Sequence, residues 1–316
     1  MPQLNLARLK PFGWCVLPSL LLAEAAHIIP LFGFFMAAMV PFPSLLFRLK
    51  HGPIDGRWAT AITCVFIFVF FSESGTDRIV FTAMAVLGLL LGESLHRGLL
   101  PDVAIAASAG MVWGGVWLIV SLTSLLSGSS FFQHVEAVLH QSLELTIALY
   151  EEMKISADTV ATLRTSMDRI AFVLARLMPG FSAMSLLFVA WAQLLMLQPA
   201  GHRLKMILPE SPRLNRWRAP EKLVWGLIGC GAMLLMPHVT LRLVATNVLL
   251  PILVVYFFQG IGIVSFFLEN KTAPRWIRIL IYITVFFQQV AMILVILLGI
   301  FDLWIDFRKL ASQRDA

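Results

Sequence analysis

Glu24 and His27 are the residues whose types and spacing most readily suggest chemistry. They stand three apart inside one apolar stretch, residues 12 to 47, so on a helix they share a face. Each is costly in hydrocarbon unless it faces protein or a water-filled cavity, and together they could hold an ion, a proton or a polar ligand. The same pair could be structural, or lie close enough to an interface to be wet. A second polar group comes far downstream, with Arg242, Asn247 and Gln259 in one apolar run and Gln288 and Gln289 in the next. Amides in hydrocarbon commonly bond neighbouring helices. His238 and Arg242 fall at the outer end of their run, where Arg can snorkel and meet an anion. Glu24, His27, Arg242, Asn247 and Gln259 therefore form the candidate lining of a ligand site for a small solute of unknown identity.

Catalytic signatures are missing. The sequence carries no G-x-x-x-x-G-K-[ST], no HExxH and no G-x-S-x-G, so it has no ATPase motif of its own. Glu151-Glu152 suggests the glutamate pair of an intramembrane metalloprotease, but Ser156 stands where the downstream Arg belongs. Cys15, Cys64 and Cys230 lie in apolar runs without a CxxC pair or a His at ligand spacing, which reads as reduced packing residues. The expectation is a protein that is not an enzyme and has no metal or cofactor.

The elements that must position these residues follow from composition. Of 316 residues, 59% are apolar and 13% charged, and the mean hydropathy is +0.84, whereas soluble domains are about 45–50% apolar and about 25% charged. A soluble fold is excluded; the expected class is an all-α, polytopic transmembrane bundle. Nine apolar candidates give eight or nine spans: two from residues 12 to 47 divided at Pro30, then Trp58–Phe71, Ile79–Leu91, Val103–Leu126, Phe181–Leu197, Leu223–Met236, Leu243–Leu268 and Ile277–Ile300. Met178-Pro179-Gly180 should break the chain before the sixth.

Residues 128–178 differ, because apolar side chains recur every three or four positions from Phe132 to Met153 and from Val160 to Leu174, with charges on the other faces. That spacing predicts two amphipathic helices, the second capped by Ser156 or Asp158, in an insert outside the hydrocarbon core. Residues 198–222 form a basic, proline-interrupted loop that reads as cytoplasmic. With the N-terminus placed in the cytoplasm, most Lys and Arg fall on the cytoplasmic side, as the positive-inside rule requires. The exception is the tail, where nine crossings put Arg308, Lys309 and Arg314 outside. Topology thus accounts for the net charge of +6 without nucleic acid. Arg8, Lys10 and Ala23-Glu24-Ala25 mimic a cleavable signal peptide, but Pro18 and the apolar helix that follows fit a retained hairpin better. Gly88-x-x-x-Gly92, Ala106-x-x-x-Gly110-x-x-x-Gly114 and Ser19-x-x-x-Ala23 predict close helix packing, within the chain or against a partner.

Several runs carry a family likeness: Tyr256-Phe257-Phe258-Gln259-Gly260, then Leu298-Gly299-Ile300-Phe301-Asp302-Leu303-Trp304-Ile305-Asp306-Phe307-Arg308-Lys309. With Pro41-Phe42-Pro43, Leu49-Lys50-His51-Gly52 and Trp217-Arg218-Ala219-Pro220, the sequence resembles the YybS-like bacterial membrane proteins, a family of unknown function. That family is distantly similar to the substrate-binding S components of energy-coupling-factor transporters. The resemblance implies an inner-membrane component that binds a solute from outside and docks on a shared transmembrane subunit and ATPases. Ser19-x-x-x-Ala23 loosely resembles the small-residue docking face of such components. The competing expectation is a membrane scaffold for envelope assembly or biogenesis with no solute site.

Overall fold

Proline sets the first boundaries. In the computed structural model, residues 12–71, 75–128, 130–153, 156–204, 214–271 and 273–308 are described. Helix α1 (Gly13–Ile28) ends before Pro30, which opens α2 (Pro30–Met39); Pro41 opens α3 (Pro41–His51) and Pro53 opens α4 (Pro53–Phe70). Proline suits a first helical position, where its missing N–H would have no partner anyway. Val40 keeps helical angles between α2 and α3, so they form one apolar span, Phe32–His51. Gly52 then turns the chain at φ +89°, a conformation that favours glycine.

The order continues through α5 (Gly75–His96), α6 (Pro101–Ser127), α7 (Phe131–Glu152), α8 (Ala157–Arg203), a 3-10 turn (Leu214–Arg216), α9 (Leu223–Leu234), α10 (Val239–Asn270), α11 (Arg275–Phe287) and α12 (Gln289–Ile305). Among the described residues there is no strand. The protein is an all-helical membrane protein with six helices long and apolar enough to cross a bilayer, or seven spans if the bent pair α11–α12 counts as one. The count of eight or nine is reduced for physical reasons. Helix α9 has 12 residues, roughly 18 Å at about 1.5 Å per residue, against a hydrocarbon core of about 30 Å. The expected straight span Ile277–Ile300 is interrupted at Gln288, whose extended backbone separates two helices bent by 99°.

Two compact units divide the chain. The first comprises residues 1–116, 185–219 and 254–316; the second comprises 117–184 and 220–253. Within the first, α1, α3, α4 and α5 pack on one another. Phe12 meets Phe47 near one end (ring centroids 5.8 Å), Ala23 packs with Val40 and Ile67 in the middle, and His27 meets Asp77 at the other end. Helix α1, 16 residues long, thus has neighbours along its whole length but is shorter than the six counted spans. Gly88 and Gly92 are used as the spacing predicted: a Cβ on Gly88 would lie 2.0 Å from the Pro41 carbonyl oxygen, and one on Gly92 would meet the Arg48 stem at 2.9 Å. Added at Gly110 or Gly114, it would meet nothing within 4 Å.

In the second unit the insert forms two helices, α7 and the start of α8, tied by Arg164 donating to Glu151 at 2.7 Å and by Arg176 donating to Glu136. The expected break at Met178-Pro179-Gly180 does not occur, and α8 runs through it. Pro179 cannot complete the backbone ladder, and the side chain of Asn247 on α10 fills the opening. Its Oδ1 accepts from the Gly180 N–H, while its Nδ2 donates to the Arg176 carbonyl at 2.9 Å. Much of the basic loop, including Lys205, Pro209 and Arg213, lies outside the described residues. So do Arg8, Lys10, Lys154, Lys309 and Arg314.

Candidate functional site

The runs that contain Gln259-Gly260 and Gly299 to Arg308 meet in the first unit. A Cβ added to Gly260 would lie 2.0 Å from the Val295 carbonyl oxygen, and one on Gly299 would lie 2.1 Å from that of Tyr256. Glycine at both positions thus brings the backbones of α10 and α12 into contact. That approach sets Gln259 beside Asp302, with Gln259 Nε2 donating to Asp302 Oδ2 at 3.1 Å. Asp302 is a carboxylate buried among apolar neighbours, which demands paired donors. They come from Arg308 Nη2 at 2.6 Å and, at its other oxygen, from the Phe307 backbone N–H at 3.1 Å. Arg308 can fold back because Asp306 adopts left-handed angles, φ 44° and ψ 61°, at the end of α12.

This buried pair clamps a neighbouring segment. Arg308 Nη1 donates to the carbonyls of Asn215 and Trp217 at 2.8 and 2.9 Å, the Ala219 N–H donates to Gln259 Oε1 at 3.1 Å, and Arg218 donates to Asp306. Two guanidinium groups face two carboxylates, so the cluster is neutral. Burial pushes the Arg308 guanidinium below its ordinary range, and Asp302 works against that shift.

The clamped segment closes one side of an aromatic cavity of about 330 Å³, lined by Phe188, Trp191, Phe257, Phe258, Tyr282 and Phe286 with Asn215 and Ser265. Trp191 stacks on Phe258, centroids 5.0 Å apart at 15°, and Trp217 stands edge-on to Trp191 at 4.8 Å. Asn215 is held at both ends, by Arg308 on its carbonyl and by its own Nδ2 donating to Glu269 at 2.5 Å. Its Oδ1 is buried and has no hydrogen-bond partner. The cavity is thus bounded mainly by aromatic and aliphatic side chains, with Asn215, Ser265 and Tyr282 as the polar residues of its lining.

Residues 16–303 match the family described as Predicted membrane protein (DUF2232). The chain belongs to this family. No curated protein and no solved structure matches it. The match begins within α1 and ends one residue beyond Asp302, so this membrane family's region takes in Gln259, Gly260, Gly299 and Asp302 and stops short of Arg308.

The five residues selected from sequence occupy different surroundings. Glu24 is exposed on α1. His27 Nδ1 and Asp77 Oδ2 are 2.8 Å apart where α4 ends and α5 begins, with Phe71 edge-on to the imidazole. Arg242 is exposed near the start of α10, and Asn247 spends its amide on the Pro179 opening. Gln259 spends its amide on Asp302 and Ala219. None of the five lines the aromatic cavity. The Ser19 and Ala23 face is fully buried, Ala23 against Val40, Ile67 and Ala85, so it is used within the chain and is not open for docking.

Sequence reading missed the Asp302–Arg308 pair as a site, and missed Arg48, whose Nε and Nη2 both reach Glu93 Oε2, at 2.9 and 2.7 Å. A signal existed for each. Asp302 is a carboxylate set between Phe301 and Leu303, and Arg48 directly follows Leu45-Leu46-Phe47.

Proposed function

We propose that this membrane protein is a non-catalytic binding component that holds a small, flat, weakly polar solute in the aromatic cavity. The observation that carries the reading is Asn215, a residue of the cavity wall whose buried Oδ1 has no hydrogen-bond partner, in a lining that is otherwise apolar or aromatic apart from Ser265. Leaving such an atom unpaired costs about 1–3 kcal/mol, and a ligand N–H or O–H would remove that cost. The aromatic rings supply stacking area. Lacking a P-loop, the chain would depend on a partner for energy. The YybS-like resemblance supports a shared transmembrane subunit with ATPases in that role. The location would be the inner membrane, with α1 crossing beside α4 and the end bearing Arg48, Arg57 and Arg97 in the cytoplasm under the positive-inside rule.

The test is purification from native membranes in mild detergent, followed by mass spectrometry of bound small molecules and co-purifying proteins. One stoichiometric planar metabolite in the wild type, absent from Ala192→Trp and reduced in Asn215→Ala, supports solute binding. No metabolite in any of the three sinks it.

A scaffold is the second reading, favoured by the amides of Asn247 and Gln259, which are satisfied by protein across helix contacts. Recovery of envelope or biogenesis proteins without a metabolite would select it.

A further inference from the structure

A second concavity, of about 790 Å³, lies in the first unit between α1 and the α2–α3 span. Its walls are apolar, with Trp14, Leu22, Met39 and Leu46 among them, and its lining includes Lys50 and His51 but no carboxylate. The polarity is graded along its length. Leu22 packs against the mid-height cluster of Ala23 and Val40, whereas Lys50 and His51 stand at the end of α3. From Met39 to His51 the span rises roughly 18 Å at about 1.5 Å per residue, close to one leaflet of a hydrocarbon core about 30 Å thick.

The charge around the polar end strengthens the gradient. Glu93 receives three guanidinium groups, from Arg48, Arg57 and Arg97. Arg57 and Arg97 remain 58% and 66% exposed. Arg203 directly precedes Leu204 of the groove wall. Among the described residues of α3 to α6, this end carries Arg48, Lys50, Arg57 and Arg97 against Asp55, Glu93 and Asp102. An apolar slot one leaflet deep, ending in unshared positive charge, has the complementarity of a phospholipid with an anionic headgroup.

We propose that this groove binds one anionic phospholipid, its acyl chain along Leu22, Met39 and Leu46 and its phosphate at Lys50 and His51. A zwitterionic lipid would fill the apolar part without gaining at the cationic end, so headgroup preference is the signature that separates a site from ordinary solvation by lipid. The inference does not depend on the aromatic cavity or its solute.

The test places the full-length protein in phosphatidylcholine nanodiscs and titrates in phosphatidylglycerol or phosphatidylcholine with brominated acyl chains. Quenching of Trp14 is read as the difference between wild type and Trp14→Phe. The expected result is half-quenching of Trp14 at a lower mole fraction of the anionic lipid, by roughly fivefold for each basic residue engaged. In Lys50→Ala with His51→Ala, that preference should shrink by roughly fivefold or more. Equal quenching by both lipids in the wild type, or an anionic preference undiminished by the double substitution, overturns the proposal. Should Trp14→Phe fail to fold, native mass spectrometry reads the same point. Leu46→Trp should lose one bound phosphatidylglycerol, and its retention counts against the site.

Discussion

Arg308 reaches Asp302 across 2.6 Å with neither side chain exposed, and the same guanidinium carries the carbonyls of Asn215 and Trp217. One ion pair therefore joins the end of α12 to the wall of the aromatic cavity. Breaking a buried pair from one side leaves an unpaired charge, so Arg308→Met should destabilise the protein by about 3–5 kcal/mol. Asp302→Leu combined with Arg308→Met should recover most of that loss, because no buried charge remains, yet it should still weaken solute binding by leaving Asn215 unanchored. Unfolding and binding measured on the same detergent samples would show the separation. A double variant as unstable as the sum of the single variants would contradict it.

The Asn247 side chain acts as a patch on a broken helix, which gives a conditional prediction. Asn247→Ala should cost about 1–3 kcal/mol by orphaning the Gly180 N–H and the Arg176 carbonyl. In a Pro179→Ala background the helix can close its own ladder, and the same substitution should cost clearly less. The double-mutant cycle, read by thermal unfolding in nanodiscs, should give a coupling well above zero. Equal costs in the two backgrounds would mean that Asn247 supports something other than the proline opening.

Glycine positions that look alike in sequence should separate under substitution. Gly260→Ala places a Cβ 2.0 Å from a backbone oxygen that cannot rotate away, so α10 and α12 must move apart. A loss of several kcal/mol, at the upper end of the roughly 1–3 kcal/mol typical of overpacking, is expected. Gly110→Ala adds a methyl to open space in a helix, where alanine is favoured by about 1 kcal/mol, and should be neutral or stabilising. If Gly110→Ala instead strips a co-purifying protein, the stripe through Ala106 and Gly114 is a partner contact.

These contrasts show which parts of the molecule were legible in the sequence. The all-helical membrane class, the helix boundary at Pro30, the helix over Phe131–Glu152 and the Gly88 and Gly92 contact follow from local periodicity and proline chemistry. Continuity through Pro179 was not legible, because its cause, Asn247, lies on another helix. The break at Gln288 was hidden for a similar reason: a glutamine in an apolar run reads equally well as interhelical glue. The aromatic cavity was the least visible, since Phe188, Phe258, Tyr282 and Asn215 come from α8, α10, α11 and a loop and are neighbours only in space. Its clamp was half visible, as a motif of Asp302 and Arg308 without a stated role.

The bend at Gln288 bears on the side of the membrane reached by the C-terminus. Basic residues mark both ends of the α11–α12 pair, Lys271 before it with Arg275 and Arg278 in its first turn, and Arg308, Lys309 and Arg314 after it. A single crossing would place one of these groups on the wrong side under the positive-inside rule. A re-entrant pair, turning back at its 99° bend, keeps both on one side and removes the conflict over the tail. Topology reporters fused after Lys271 and after Ala316 should therefore report the same side of the membrane. A reporter at Ala316 that reads the opposite side from the one at Lys271 would establish that α11 and α12 cross as one broken span, with the tail's positive charge outside.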